Sequence, residues 1–284
     1  MFLNKQIENV RGLRHLSGDE GRQRKGRAMP QPYILVAANG ARRGPGDHPA
    51  LPVDTGTITE TARACFAAGA NGLHLHVRDV DGRHTLDAGR YREALQELAR
   101  TAPGMEIQIT TEAAGIYDVP AQLDCLRQLR PGWASISVRE IARAPELADR
   151  VYGTCADHGT RVQHILYDPT DAELLSRWQV DGTVRSGQID RLFVLGRYAT
   201  GQGEGHAARP GDVDAFLNDT PPRTPWMVCA FGAQEHACLL DAAARGGDLR
   251  VGFENGLTDA DGIPWADNAA SVAALIHALE RSRT

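Results

Sequence analysis

The stretch Tyr33-Ile34-Leu35-Val36-Ala37-Ala38-Asn39-Gly40-Ala41-Arg42-Arg43-Gly44 is an apolar run followed by a short polar turn. Tyr33–Ala38 reads as a buried strand, and the turn after it discriminates between two α/β architectures. A doubly wound open sheet usually places a G-x-G-x-x-G nucleotide turn directly after its first strand. Asn39 to Gly44 does not have that spacing. Further apolar runs follow at Gly72–His76, Glu106–Thr110, Trp133–Ser137, Arg161–Leu166, Arg191–Leu195, Pro225–Val228 and Leu249–Gly252, which makes eight strands. Amphipathic stretches separate them. The first has Thr57 and Glu60 in capping-box spacing and Ile58, Ala62, Cys65 and Phe66 on one face, with Gly69 where a helix C-terminal glycine is expected. The others run over Ala88–Thr101, Val119–Leu129, Ala144–His158, Asp171–Val180, Asp212–Leu217, Gln234–Arg245 and Asn268–Arg283. Eight strands alternating with eight helices predict an α/β protein of the (β/α)8 TIM barrel type, with the doubly wound sheet as the alternative.

The whole pattern fits one domain, 31–284, preceded by a basic extension, 1–30. That extension carries Lys5, Arg11, Arg14, Arg22, Arg24, Lys25 and Arg27 and has no apolar core of the kind a secretory signal needs. It reads as mobile, or as a contact for a neighbouring subunit. A net charge of −5 argues against nucleic acid or an anionic membrane as partner. No apolar run approaches the roughly 18 residues that cross a bilayer. The five cysteines are odd in number and form no C-x-x-C pair, so a disulfide framework is disfavoured and a reducing cytoplasm is expected.

Chemistry concentrates at Leu73-His74-Leu75-His76-Val77-Arg78-Asp79. Alternate residues of a strand share a side, so His74 and His76 project together. Two imidazoles pointing at a barrel axis form half of a metal site, and a hydrogen-bonded core pair is the alternative. The eighth strand leads into Arg250-Val251-Gly252-Phe253-Glu254-Asn255. Barrel closure brings strand eight beside strand one, which neighbours strand two, so Glu254 falls on the same rim as the histidines. Two histidines, one carboxylate and an open position describe a catalytic Zn2+ site. Glu254 as a loop acid paired with Arg250 is the other reading.

These residues resemble the β-keto acid cleavage enzymes, whose founding activity is 3-keto-5-aminohexanoate cleavage. The resemblance spans about Tyr33 to Arg281. It rests on Ala38-Asn39-Gly40-Ala41 with Asp47-His48-Pro49, on His74 to Gly82, on Ile107-Gln108-Ile109-Thr110-Thr111, on Arg130-Pro131, on Phe193-Val194-Leu195-Gly196, and on Gly246 to Glu254. It implies a zinc-dependent barrel, a homo-oligomer, that condenses a small β-keto acid with acetyl-CoA and cleaves the adduct to acetoacetate and a new acyl-CoA. It also implies that Arg250 supports the base and the developing negative charge, and that Thr110 and Ser135 bind substrate or orient catalytic groups.

The departures from the family pattern matter equally. The family's general base, an aspartate after the metal-binding glutamate, is Asn255 here, and an amide cannot accept a proton at neutral pH. A second acidic family position aligns with Leu166, and a Gly-Gly pair after the third strand is Glu112-Ala113. His164 and Glu112 are candidates to replace the base, each also readable as structural or solvated. A family glutamate that meets the substrate's ammonium group is Arg42, followed by Arg43. A cation there favours a distal anion, as in a β-keto dicarboxylate, unless Arg42 turns outward or binds a CoA phosphate. The glycine-rich loop Gly196 to Gly205 reads as a CoA cradle or a surface loop. His48 reads as a loop-shaping residue that could touch substrate, and His236 carries no lead.

Three other functions fit parts of the pattern. A CoA-independent metal lyase, decarboxylase or hydrolase on a related keto acid follows from the loss of the aspartate. A metal-dependent amidohydrolase also carries an H-x-H pair, but Arg191–Leu195 lacks the histidine expected on its sixth strand. A barrel that senses a metabolite is the non-enzymatic alternative.

Overall fold

The computed structural model describes residues 31–197, 206–218 and 220–283. The expectations for the extension 1–30 and for most of the loop after Gly196 lie outside the described residues. Eight parallel strands close into a barrel. They are β1 (Ile34–Ala37), β2 (Gly72–Leu75), β5 (Glu106–Thr110), β6 (Trp133–Ser137), β7 (Arg161–Leu166), β8 (Asp190–Leu195), β9 (Trp226–Ala230) and β10 (Asp248–Val251). Closure is made by β1, which pairs with β10 at Ile34–Leu249 and with β2 at Leu35–Gly72. Alternation sorts the side chains. Leu35, Trp133, Ile165, Leu192, Val194, Met227 and Cys229 pack together inside the barrel, while Ile34, Val36, Leu73, Leu75, Phe193 and Val228 join the larger core under the helices. No helix among the described residues is long and apolar enough to cross a membrane, and all five cysteines are buried and unpaired with one another.

The helices are α1 (Thr55–Ala67), α2 (Ala88–Thr101), α3 (Val119–Leu129), α4 (Val138–Ile141), α5 (Ala148–Asp157), α6 (Pro169–Val180), α7 (Asp214–Leu217), α8 (Glu235–Ala244) and α9 (Asn268–Arg281). Several differ from the sequence reading for local reasons. The capping box of α1 is Asp54 with Thr57: Asp54 Oδ1 accepts from the Thr57 amide at 2.9 Å, so the helix starts one turn earlier than Thr57 and Glu60 suggested. Phe66, expected on the buried face, is 38% exposed, and Ile58, Thr59, Ala62 and Cys65 form that face instead. The expected helix Ala144–His158 divides into a 3-10 turn, Pro145–Leu147, and α5. Two short features were not foreseen. One is the hairpin β3 (Val77–Arg78) with β4 (His84–Thr85) directly after the histidine pair, and the other is α4 immediately after β6. Both are too short for a periodic signal.

Candidate metal centre and active site

Strand β2 ends at Leu75, and the alternation continues one residue further, so His74 and His76 both face the barrel axis with ring centroids 4.9 Å apart. Their Nε2 atoms stand 3.1 Å from each other, and 3.6 Å and 3.5 Å respectively from Glu254 Oε2. His74 Nδ1–H donates to Gln108 Oε1 at 2.7 Å, which leaves the Nε2 lone pair aimed at His76 and Glu254. Gln108 is itself fixed by its Nε2 donating to Gln163 Oε1 at 2.9 Å. Burial, reinforced by Arg250, pushes the His74 pKa down to about 3, so the ring is neutral, the form a metal binds. Two ring nitrogens and a carboxylate oxygen, all buried, therefore converge within 4.8 Å of one another. This donor set fits a divalent metal of borderline softness with one position left open.

Glu254 reaches this point through a turn built for it. After β10 the chain passes through Gly252 at φ +135°, where a Cβ would stand 2.6 Å from the Ala37 carbonyl oxygen. The turn is then pinned to the end of β1 and the start of α9, with the Glu254 amide on Ala37 O (3.1 Å) and the Phe253 amide on Asn268 Oδ1 (2.9 Å). The buried Glu235 accepts the Gly252 amide at 3.0 Å. Gly40, at φ +65° in the turn after β1, lies so close that a Cβ there would meet Glu254 Cγ at 2.5 Å. Arg250 Nη2 donates to Glu254 Oε1 at 3.2 Å and to Cys229 Sγ at 3.3 Å. Burial would raise the Glu254 pKa, but Arg250 and then the two histidines outweigh it and hold the carboxyl well below its ordinary range.

The triad lies at the C-terminal mouth of the barrel beside a cavity of about 390 Å3. His74, Glu254, Arg250, Arg42, Thr110 and Glu112 all line it, which brings together most of the residues singled out by sequence. Glu112 Oε2 is 3.9 Å from His76 Nε2, and its Oε1 is 4.0 Å from Arg42 Nη2. Burial raises the Glu112 pKa, and His76 partly opposes this. Thr110 Oγ1 accepts the Glu112 amide at 3.0 Å, so this hydroxyl holds the loop. Arg42 is half-exposed and turned to the cavity, whereas Arg43 donates to the Phe253 carbonyl on the turn that carries Glu254.

Other candidates are not brought to the cavity. His164 faces outward on β7, where its Nε2 donates to the Gln188 carbonyl at 3.0 Å and its ring packs on Tyr152 at 5.3 Å. The inward residue of that pair is Gln163, so alternation turns His164 away from the cavity. Ser135 is buried and faces the axis one layer deeper, and Ser137 takes the cavity wall. Asn255 is fully buried, and among the described residues neither atom of its amide has a partner. Leu166 belongs to the outer core. His48 is a structural residue, donating from Nε2 to the Trp265 carbonyl at 2.9 Å, and His236 bonds Ser271 Oγ at 3.0 Å.

Sequence reasoning missed four supporting residues: Gln108, Gln163, Arg78 and Glu140. The two glutamines had a legible signal, because each is the polar member of an inward alternation. Arg78 donates to the carbonyls of Gly40, Ala41 and Arg43, which fixes the turn after β1. Glu140 on α4 also lines the cavity, and burial pushes its pKa up to about 7.

A family model described as beta-keto acid cleavage enzyme matches residues 32–283. The 3-keto-5-aminohexanoate cleavage enzyme of Fusobacterium nucleatum is 26% identical over 261 residues, covering 87% of this chain and 91% of the relative. The 3-oxoadipate:acetyl-CoA acetyltransferase of Cupriavidus necator is 32% identical over 245 residues, covering 80% and 81%. Among solved structures, the ternary complex of ObcA with a C4-CoA adduct and oxalate superposes with a TM-score of 0.59 at 17% identity, covering 82% of this chain. The chain spans 64% of that protein's length. A type I 3-dehydroquinate dehydratase from Clostridium difficile gives a TM-score of 0.57 at 13% identity, covering 90% of this chain and 94% of its own. The last two likenesses are of fold.

Proposed function

The chain belongs to the beta-keto acid cleavage enzyme family, and from that premise we propose that it transfers an acyl group from a β-keto acid to CoA, with acetyl-CoA as co-substrate. The observation that carries this reading is the convergence of His74, His76 and Glu254 beside a cavity that Arg250 and Glu112 also line. The reaction takes R–CO–CH2–COO⁻ and CH3–CO–SCoA to CH3–CO–CH2–COO⁻ and R–CO–SCoA. The bond between the β-carbonyl carbon and the α-carbon breaks, a bond from the α-carbon to the acetyl carbon forms, and the thiolate passes to the new acyl group. Acetyl-CoA is supported by the names of relatives, one an acetyltransferase of 3-oxoadipate.

Each residue has a role that its position suits. His74, His76 and Glu254 would hold a zinc ion, which would supply Lewis-acid polarisation of the substrate's oxygens. The Glu112 carboxylate accepts the proton that leaves the α-carbon, in place of the aspartate that Asn255 replaces. The Arg250 guanidinium, buried and fixed by Glu254 and Cys229, faces the negative charge that develops as the C–H bond breaks. Thr110 keeps the Glu112 backbone in place. Arg42, which lines the same cavity, recognises a distal carboxylate, which makes a β-keto dicarboxylate the favoured substrate class.

Replacing Arg42 with glutamate moves the preference from a distal carboxylate towards a distal ammonium group, by about 10-fold or more in kcat/KM on each side. Competition between a β-keto dicarboxylate and a β-keto amino acid reads this out, and an unchanged ratio removes Arg42 from selectivity. Asn255 also favours a second reading, in which the keto acid is cleaved or decarboxylated without CoA. Zinc-loaded protein incubated with a panel of β-keto acids, with and without acetyl-CoA, separates the two. Acyl-CoA and acetoacetate formed together, only when acetyl-CoA is present, support the transferase. Turnover that is indifferent to acetyl-CoA rejects it in favour of the second reading.

A further inference from the structure

We propose that Glu140 is a positioning residue for this site: its carboxylate anchors the backbone of residues 111–113 and so sets where Glu112 stands in the cavity. The inference rests on the reading of Glu112 as the proton acceptor. The run from Thr110 to Ala113 is neither helix nor strand beyond Thr110, so its backbone groups need partners from elsewhere. Side chains supply them. Tyr91 Oη donates to the Thr110 carbonyl at 2.9 Å, Gln122 Nε2 to the Thr111 carbonyl at 2.7 Å, and His84 Nε2 to the Glu112 carbonyl at 2.7 Å. The Ala113 amide donates to Glu140, 3.0 Å from Oε2 and 3.2 Å from Oε1.

Glu140 is the member of this set that joins two clamps. Its Oε2 also accepts from Gln122 Nε2 at 2.8 Å, the group that holds Thr111. Arg143 braces Gln122 Oε1 at 3.3 Å and the Tyr117 carbonyl at 3.1 Å. One carboxylate thus ties the peptides on both sides of Glu112 to α4, which continues directly from β6. The next residue, Ala114, sits at φ +50°, a left-handed conformation that a non-glycine residue keeps only when its surroundings enforce it. Both groups that meet Glu140 are donors: Oε2 accepts from both, and the Ala113 amide is also within reach of Oε1. A glutamine keeps one oxygen for the two donors and places its NH2 where Oε1 stood, 3.2 Å from the Ala113 amide, a donor facing a donor.

Glu140→Gln keeps the shape, and the test is a double-mutant cycle in the zinc-loaded enzyme, with 3-oxoadipate and acetyl-CoA as probe. Alone, Glu140→Gln lowers kcat by about 10-fold or more, the scale of losses that follow small misplacements. The KM for acetyl-CoA and the zinc content stay unchanged. In a Glu112→Gln background the same change has no further effect on kcat. Equal losses in both backgrounds, or a wild-type kcat for Glu140→Gln, overturn the inference. Should Glu112→Gln itself leave kcat intact, the reading of Glu112 fails by that variant alone. Hydrogen exchange in the 111–117 segment then decides on the anchor without any substrate: faster exchange in Glu140→Gln supports it, and unchanged exchange overturns it.

Discussion

Glu112→Gln lowers kcat by about 10²- to 10⁴-fold, the contribution typical of a positioned general base, while zinc binding is retained. The glutamine is isosteric, keeps the loop's backbone bonds and cannot accept a proton at neutral pH. The effect is expected at this residue because the carboxylate lines the cavity 3.9 Å from His76 Nε2, whereas His164 is turned out of the barrel and Asn255 carries an amide. Steady-state kinetics with a β-keto dicarboxylate and acetyl-CoA, beside zinc analysis, check it. A wild-type kcat for this variant removes Glu112 as the base.

Arg250→Ala produces the other large effect, on activity and stability together. Loss of a fixed donor that faces developing negative charge lowers kcat by about 10²- to 10³-fold. The same substitution strips Glu254 of its buried ion-pair partner, and breaking a buried pair from one side costs about 3–5 kcal/mol. Thermal unfolding of the variant is therefore expected to shift down alongside the kinetic loss. Arg250→Lys keeps the charge but loses the forked reach to Glu254 and Cys229, so its defect falls between the two. A variant with normal kcat and normal unfolding would place the role of Arg250 elsewhere.

The barrel and the histidine pair on one side of its second strand were legible in the sequence because each leaves a periodic trace. Eight apolar runs spaced by amphipathic stretches encode closure, and the alternation Leu73-His74-Leu75-His76 puts both imidazoles on one side. Glu254 was legible through topology, since strand eight returns beside strand one. The direction of side chains at strand ends was harder to read. His164 is adjacent to the inward Gln163, and a one-residue change of register inverts the reading. Ser135 was expected to bind substrate or orient catalytic groups, but it is buried on β6 and Ser137, two residues further on, lines the cavity. Glu140 and Gln122 left no pattern, because what matters about them is contact with a loop from distant elements. The α1 cap was displaced because Asp54, a better N-cap, precedes Thr57 by three residues.

The network around the triad also fixes the orientation of its three side chains. Gln108 fixes the tautomer of His74, Arg250 holds Glu254 ionised, and the Gly252 turn delivers that carboxylate to the mouth of the barrel. The arrangement explains why Gly40 and Gly252 are glycines, since a side chain at either position would press on Glu254 or on the strand end that anchors it.

The proposed reaction depends on His74, His76 and Glu254 together holding a metal ion. The most direct measurement is the metal content of purified full-length protein after zinc loading and desalting, compared with His74→Ala, His76→Ala and Glu254→Gln. About one zinc per chain in the wild type, and loss of that zinc in each variant, is the predicted result. A wild-type protein that retains no metal, or variants that retain as much as the wild type, would contradict it.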